Sequence, residues 1–217
     1  PILPECLGGG IISEKHWIKF LKQNELAADS RLFIFSDGAK TDADADKVAE
    51  VREFIKKVDG FKSVESVESK TNLGLANSVI AGVTRLNAAY GKVIVFEDDL
   101  ISSPYTLTYF NEALNRYRNE EKVMHIGAYM YVLTDKTLPD SFFYRAATSW
   151  GWATWDRAWQ HFEPNIDTLL KQFDSKKKSE FAIEGTMNFW KQMQDFKASV
   201  SKTLHLDRRS PLLFSKP

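Results

Sequence analysis

The chain has 217 residues, with 29 Lys plus Arg against 29 Asp plus Glu, a length that suits one domain with a substantial core and a balance that gives no global field for nucleic acid or an anionic membrane surface. Its single cysteine, Cys6, excludes an internal disulfide framework and a cysteine-rich zinc site, and fits a reducing compartment. No apolar run approaches the length of a membrane span and the first residues carry no signal-peptide pattern, so the expectation is a soluble, cytoplasmic protein without a transmembrane segment.

Leu32-Phe33-Ile34-Phe35 is a short apolar run closed by the turn signal Ser36-Asp37-Gly38, and is expected as a strand. From Asp44 to Val58 the residues Val48, Val51, Ile55 and Val58 recur at three- and four-residue steps, which predicts an amphipathic helix stopped by Gly60. Lys62 to Glu68 alternates weakly, as a strand before the turn Thr71-Asn72-Leu73-Gly74. Leu75 to Tyr90 carries Val79, Val83, Leu86 and Tyr90 along one helical stripe, Gly91 ends it, and Lys92 to Phe96 is the next strand, leading into Glu97-Asp98-Asp99. Ser103 is expected to cap the following helix, with Pro104 at its first position and Leu107, Phe110, Leu114 and Tyr117 on its buried side. Strand and helix alternating three times predict a doubly wound α/β domain.

Past Val123-Met124-His125-Ile126 the pattern loosens, as far as the strand-like Phe142-Phe143-Tyr144-Arg145. Four of the six tryptophans then fall within ten residues, at 150, 152, 155 and 159. Helices are expected around Asp167 to Phe173 and Thr186 to Lys197, separated by the solvated stretch Ser175-Lys176-Lys177-Lys178. There is no internal repeat and no low-complexity tract.

Three carboxylates at the end of a buried strand are the strongest chemical signal, because α/β sheets place ligands at the carboxyl ends of their strands. Adjacent like charges repel, so a cation is the natural partner, and hard oxygen ligands suit Mg²⁺ or Mn²⁺ shared with substrate phosphates. The alternative is a solvated acidic turn at a helix start. Asp37, the stretch Asn72 to Asn77 and the acidic triplet should face one crevice, where Gly74 permits close approach of a ligand and helix N-terminal amides favour phosphate; an ordinary turn and cap is the competing account. Neither dinucleotide-binding nor P-loop glycine spacing is present. The four histidines, at 16, 125, 161 and 205, lack metal-ligand spacing and are expected to be structural. The tryptophan cluster suits core packing or a platform on which a sugar ring stacks.

These residues resemble a known family. Phe35-Ser36-Asp37-Gly38, Asn72-x-Gly74-x-Ala76-Asn77 with Gly82 further on, Val95-Phe96-Glu97-Asp98-Asp99-Leu100, and Trp150-Gly151-Trp152-Ala153-Thr154-Trp155 occur in order. Over roughly Leu32 to Trp159 the chain resembles a GT-A fold glycosyltransferase that uses nucleotide-diphospho-sugars, in particular the bacterial sugar transferases allied to family 2 and, more distantly, the N-acetylglucosaminyltransferases of N-glycan synthesis. The resemblance implies a Rossmann-like, mostly parallel sheet flanked by helices with a helical C-terminal portion, as a single domain over residues 1–217 whose nucleotide-sugar half runs to about 126 and whose acceptor-side half follows. It implies that Asp37 contacts the nucleotide base, that Asn72, Gly74 and Asn77 shape its pocket, that Glu97 and Asp98 lie near ribose and donor sugar, and that Asp99 holds Mn²⁺ or Mg²⁺. Trp150, Gly151 and Trp152 would lie near donor sugar and acceptor.

The implied reaction is transfer of a sugar from a nucleotide diphosphate donor, UDP being favoured, to a glycan or lipid-linked saccharide acceptor, with inversion and no nucleic acid partner. A lipid-linked acceptor would bring the protein to the inner face of the membrane. An inverting enzyme also needs a carboxylate to take the acceptor's proton, and Glu184 and Asp195 are the candidates. The family opens with a strand and a Tyr-Asn-Arg-Pro-like segment not recognisable in Pro1 to Gly10, and carries a Ser-Trp-x-x-Arg-Trp-like motif where this chain has Ser201 to Arg209. Truncated or altered ends, with impaired donor binding and weak transfer, are therefore expected. Two alternatives stand beside transfer: a nucleotidyltransferase that makes the activated sugar, for which Gly8-Gly9-Gly10 and Lys15 are a faint glycine-rich loop, and a non-catalytic sugar- or nucleotide-binding remnant.

Overall fold

A computed structural model describes residues 2–7, 11–130 and 137–200. In chain order the elements are β1 (Ile2–Leu7), α1 (Ile11–Lys22), β2 (Arg31–Ser36), a 3-10 turn at Asp42–Asp44, α2 (Ala45–Ile55), β3 (Ser63–Glu68), α3 (Leu75–Tyr90), β4 (Lys92–Glu97), α4 (Thr106–Arg116), β5 (Ile126–Gly127), β6 (Trp152–Trp155), α5 (Asp156–Trp159), α6 (Ile166–Gln172), α7 (Ser175–Phe181) and α8 (Phe189–Val200). The six strands form a mixed sheet in the order β3-β2-β1-β4-β6-β5. β3, β2, β1 and β4 run parallel, while β6 is antiparallel to β4 and to β5.

Successive side chains of a strand point to opposite faces, and here both faces are covered. Leu32, Ile34, Ile94 and Phe96 join one core with Trp17 and Leu21 of α1, Val51 and Ile55 of α2, and Leu107, Phe110 and Leu114 of α4. Phe33, Phe35, Val93 and Val95 join a second core with Val83 and Leu86 of α3, Trp152 and Trp159. Two-sided burial is the reason β2 and β4 appear as unbroken apolar runs.

Several expectations need correction. Ile2–Leu7, within the stretch where the family's opening strand is not recognisable from sequence, forms β1 between β2 and β4, and α1 follows; Pro4 and Glu5 break the apolar pattern that marks a buried strand. Residues 8–10 and the stretch Ser201 to Arg209 lie outside the described residues. The helix expected to Val58 ends at Ile55. Phe142 to Arg145 is not a strand; Phe142, Phe143 and Tyr144 are all exposed, which an alternating pattern does not produce. The lysine-rich stretch after Asp174 is solvated as expected, yet it is helical, because the Asp174 carboxylate accepts a hydrogen bond from the Lys177 amide at the start of α7 (2.8 Å).

Ser103 does not cap α4. The buried carboxamide of Asn24, 83 residues away, accepts from the Leu107 amide (2.9 Å) and donates to Ser102 Oγ (3.1 Å), so the end of α1's connection holds the start of α4.

Candidate functional site

Parallel register places the predicted residues along one edge. Leu7 pairs with Ser36, Ser36 with Glu68, and Cys6 with Glu97, so Asp37, Ser69 and Asp98 all leave the sheet at its carboxyl edge. The chain adds strands to one side of β1 and then crosses to the other with β4. Strand order therefore reverses between β1 and β4, the place where open α/β sheets bind ligands. Asp37 follows β2 and Asp98 follows β4, with β1 between them, so these strand ends are two strand spacings apart, about 10 Å.

On the β2 side, two loops are zipped together. The Asp37 carboxylate accepts hydrogen bonds from the amides of Leu73 (2.8 and 3.0 Å) and Gly74 (2.8 Å), and from that of Gly38 (2.9 Å). In return the Asn72 carboxamide donates to the Gly38 carbonyl (2.8 Å), and Asn77 donates to the Leu73 carbonyl (2.8 Å). Gly38 is required by the close approach: a Cβ there would stand 2.5 Å from the Thr71 carbonyl carbon. Gly74 precedes α3 at φ 78°, with open space beside it. Asp37, Asn72, Gly74 and Asn77 thus form one assembly, with Asp37 as its clamp.

Arg52, on α2, was not among the expected residues. Its guanidinium donates to the carbonyls of Ser36 (3.4 Å), Asp37 (3.2 Å) and Ser69 (2.7 Å) and to Ser36 Oγ (3.2 Å), and its other nitrogen lies 3.6 Å from Glu68. The sequence signal is an arginine beside the buried stripe of Val51 and Ile55, on a helix that follows a strand ending in a turn.

On the β4 side, the acidic triplet forms a turn closed by the Leu100 amide donating to the Glu97 carbonyl (3.2 Å). Glu97 is half-buried, Asp98 is buried and Asp99 is exposed. Because β6 pairs antiparallel with β4 through Val95 and Trp152, the start of β6 lies beside this turn. Gly151, at φ 67°, would place a Cβ 3.7 Å from Leu100 Cδ1. Trp150 is half-buried and meets Tyr129 edge-on, with centroids 4.6 Å apart. Trp152, one residue into the strand, is 1 % exposed and lies between His125 (5.4 Å) and Trp159 (6.1 Å). Its ring is part of the second core. The same buried environment pushes the His125 imidazole down to about 4 through desolvation, opposed in part by a backbone hydrogen bond with Thr148.

The candidate proton acceptors are not gathered here. Glu184 is ion-paired with Arg145 on the surface, in a turn where Ile183 and Glu184 both have positive φ. Asp195 on α8 accepts from Lys191 (2.8 and 3.0 Å) in an exposed pair.

Among the described residues, no group of three or more His, Cys, Asp or Glu side chains converges as a metal cage. Mg²⁺ is usually bound through one or two carboxylates with its other positions left to substrate phosphates and water, and Asp99 is the exposed carboxylate of the acidic turn. No helix among the described residues is long and apolar enough to cross a membrane.

No protein-family model matches the chain, and no curated protein matches it. Among solved structures, the chain is similar to the mannosyltransferase PcManGT of Pyrobaculum calidifontis in complex with GDP-Man and Mn²⁺, at 13% identity over 57% of this chain and 33% of that one, with a TM-score of 0.40. It is also similar to S. aureus TarS, at 11% identity over 67% of this chain and 40% of the TarS 1-349 structure, and at 14% identity over 67% of this chain and 24% of a longer TarS structure, both with a TM-score of 0.43. The chain spans between a quarter and two-fifths of the length of those structures.

Proposed function

We propose that the protein is a GT-A type glycosyltransferase that transfers a sugar from a nucleotide diphosphate donor, UDP being preferred, to a glycan or lipid-linked saccharide acceptor with inversion at the anomeric carbon. The observation that carries the reading is the acidic turn Glu97 to Leu100 at the point where strand order reverses, with Trp150 and Gly151 beside it. The clamped Asp37 loop after β2 and the carboxylates after β4, on the same sheet edge, suit a nucleoside at the first and its diphosphate at the second.

In this reading the Asp37 to Asn77 assembly positions the base through the rim of loop backbone that the Asp37 carboxylate holds in place. Glu97 and Asp98 lie toward ribose and donor sugar, and exposed Asp99 holds the divalent cation. When bound, that cation offsets the negative charge that develops on the departing diphosphate. Trp150 and Tyr129, fixed edge-on, offer aromatic surface to a sugar at the same edge. Proton removal from the acceptor needs a further carboxylate; the surface pairs of Glu184 and Asp195 weigh against both candidates.

Product analysis with a panel of UDP- and GDP-sugars, Mn²⁺ and saccharide acceptors tests the reaction class. Release of nucleoside diphosphate together with an extended acceptor is the expected result. Release of pyrophosphate from sugar phosphate and nucleoside triphosphate would overturn it in favour of nucleotidyl transfer, and donor binding without turnover would leave a sugar-nucleotide-binding protein.

A further inference from the structure

We propose that Arg52 is a positioning residue for the nucleotide pocket, acting through Asp37. The proposal rests on the nucleotide-sugar reading of the carboxyl edge. At that edge the strand ladders end, and carbonyls there can take side-chain donors. Arg52 supplies them from α2: one terminal nitrogen is shared among the carbonyls of Ser36, Asp37 and Ser69, and Nε reaches Ser36 Oγ. The ends of β2 and β3 are thereby tied to each other and to the helix between them, alongside the direct bond from the Ser69 amide to the Ser36 carbonyl (2.9 Å).

Asp37 is consequently held twice. Arg52 fixes its backbone carbonyl, and the amides of Leu73 and Gly74 fix its carboxylate. If Asp37 turned, the Leu73-Gly74 rim would lose its acceptor, so the guanidinium sets the shape of the rim from one residue removed. The fork matters as well as the charge. A planar guanidinium aims several donors at once, whereas a lysine ammonium is a compact, strongly hydrated point charge on a flexible stem. The Arg52 side chain is 22 % exposed, so few water molecules can substitute for its bonds.

Arg52→Lys keeps the charge opposite Glu68 and removes the fork; Arg52→Gln removes both the charge and most of the reach. Amide hydrogen exchange and UDP calorimetry on the full chain, with Mn²⁺ present, separate the outcomes. The expected result for Arg52→Lys is exchange accelerated about tenfold or more at Leu73 and Gly74, with Ile94 and Val95 of β4 unchanged, and UDP affinity reduced about tenfold. Arg52→Gln should show the larger effect in both readouts. Folded variants that bind UDP as tightly as wild type would overturn the proposal, and so would acceleration spread equally over β4, which would make Arg52 a general structural residue. If the wild-type chain binds no UDP while the variants still loosen Leu73 and Gly74 selectively, the failure lies in the nucleotide reading, and the pocket role assigned to Arg52 falls with it.

Discussion

Asp37 is an acid whose local work precedes any ligand contact. Its carboxylate receives three amides of the neighbouring loops, and hydrogen bonds to a charged acceptor contribute about 1.5–3 kcal/mol each when the group is not fully hydrated. Gly38 makes the approach possible because a methyl group would collide with the backbone at Thr71. His125 shows the reverse case, a titratable group kept neutral by burial against Trp152. Its folded value of about 4 lies below the ordinary 6.5, so between those limits the unfolded chain binds more protons and stability falls as the pH falls. From pH 7.5 to pH 5 the loss attributable to His125 should be about 2 kcal/mol. Urea unfolding of wild type and His125→Gln at the two pH values checks this: the variant should have the flatter pH dependence, and equal slopes would contradict it.

At the scale of elements, two tryptophans two residues apart have different surroundings because β6 begins between them. Trp152 lies inside the second core, and Trp150 lies at the edge of the sheet against Tyr129. Trp152→Ala should cost about 3–5 kcal/mol of stability. Trp150→Ala should cost less than about 2 kcal/mol and should raise the KM for a saccharide acceptor. Denaturant midpoints with acceptor-dependent kinetics separate the two roles; similar stability losses and an unchanged KM would contradict them. β2, α3 and β4 were legible in the sequence because each is buried on a simple period: apolar runs for two-sided strands, and a three- and four-residue stripe for the helix. β1 was hidden by Pro4 and Glu5, and the cap of α4 by its source, Asn24, which no local pattern connects to Leu107. Arg52 was hidden for a related reason, since its partners are backbone carbonyls brought together only by the sheet.

In the whole molecule, the covered faces of the sheet leave the carboxyl edge as the place where unusual chemistry collects. Strand order brings Asp37, the Asn72 to Asn77 stretch, the acidic triplet and Trp150-Gly151 to that edge, although 114 residue positions separate Asp37 from Gly151. The motifs were legible one by one in the sequence. Their shared edge depends on strand order and on the antiparallel entry of β6, which no single motif encodes. Glu184 and Asp195, the candidate carboxylates of the C-terminal third, both lie in surface ion pairs.

In the proposed reading, Asp99 and a divalent cation hold the diphosphate of a nucleotide at this edge. Calorimetric titration of UDP with and without Mn²⁺, into the wild-type chain and Asp99→Ala, tests it most directly. Mn²⁺-dependent binding to the wild type is expected, with a loss of at least about tenfold in the variant, equivalent to about 1.4 kcal/mol. Binding that ignores both Mn²⁺ and Asp99, or no binding by the folded wild-type chain, would contradict it.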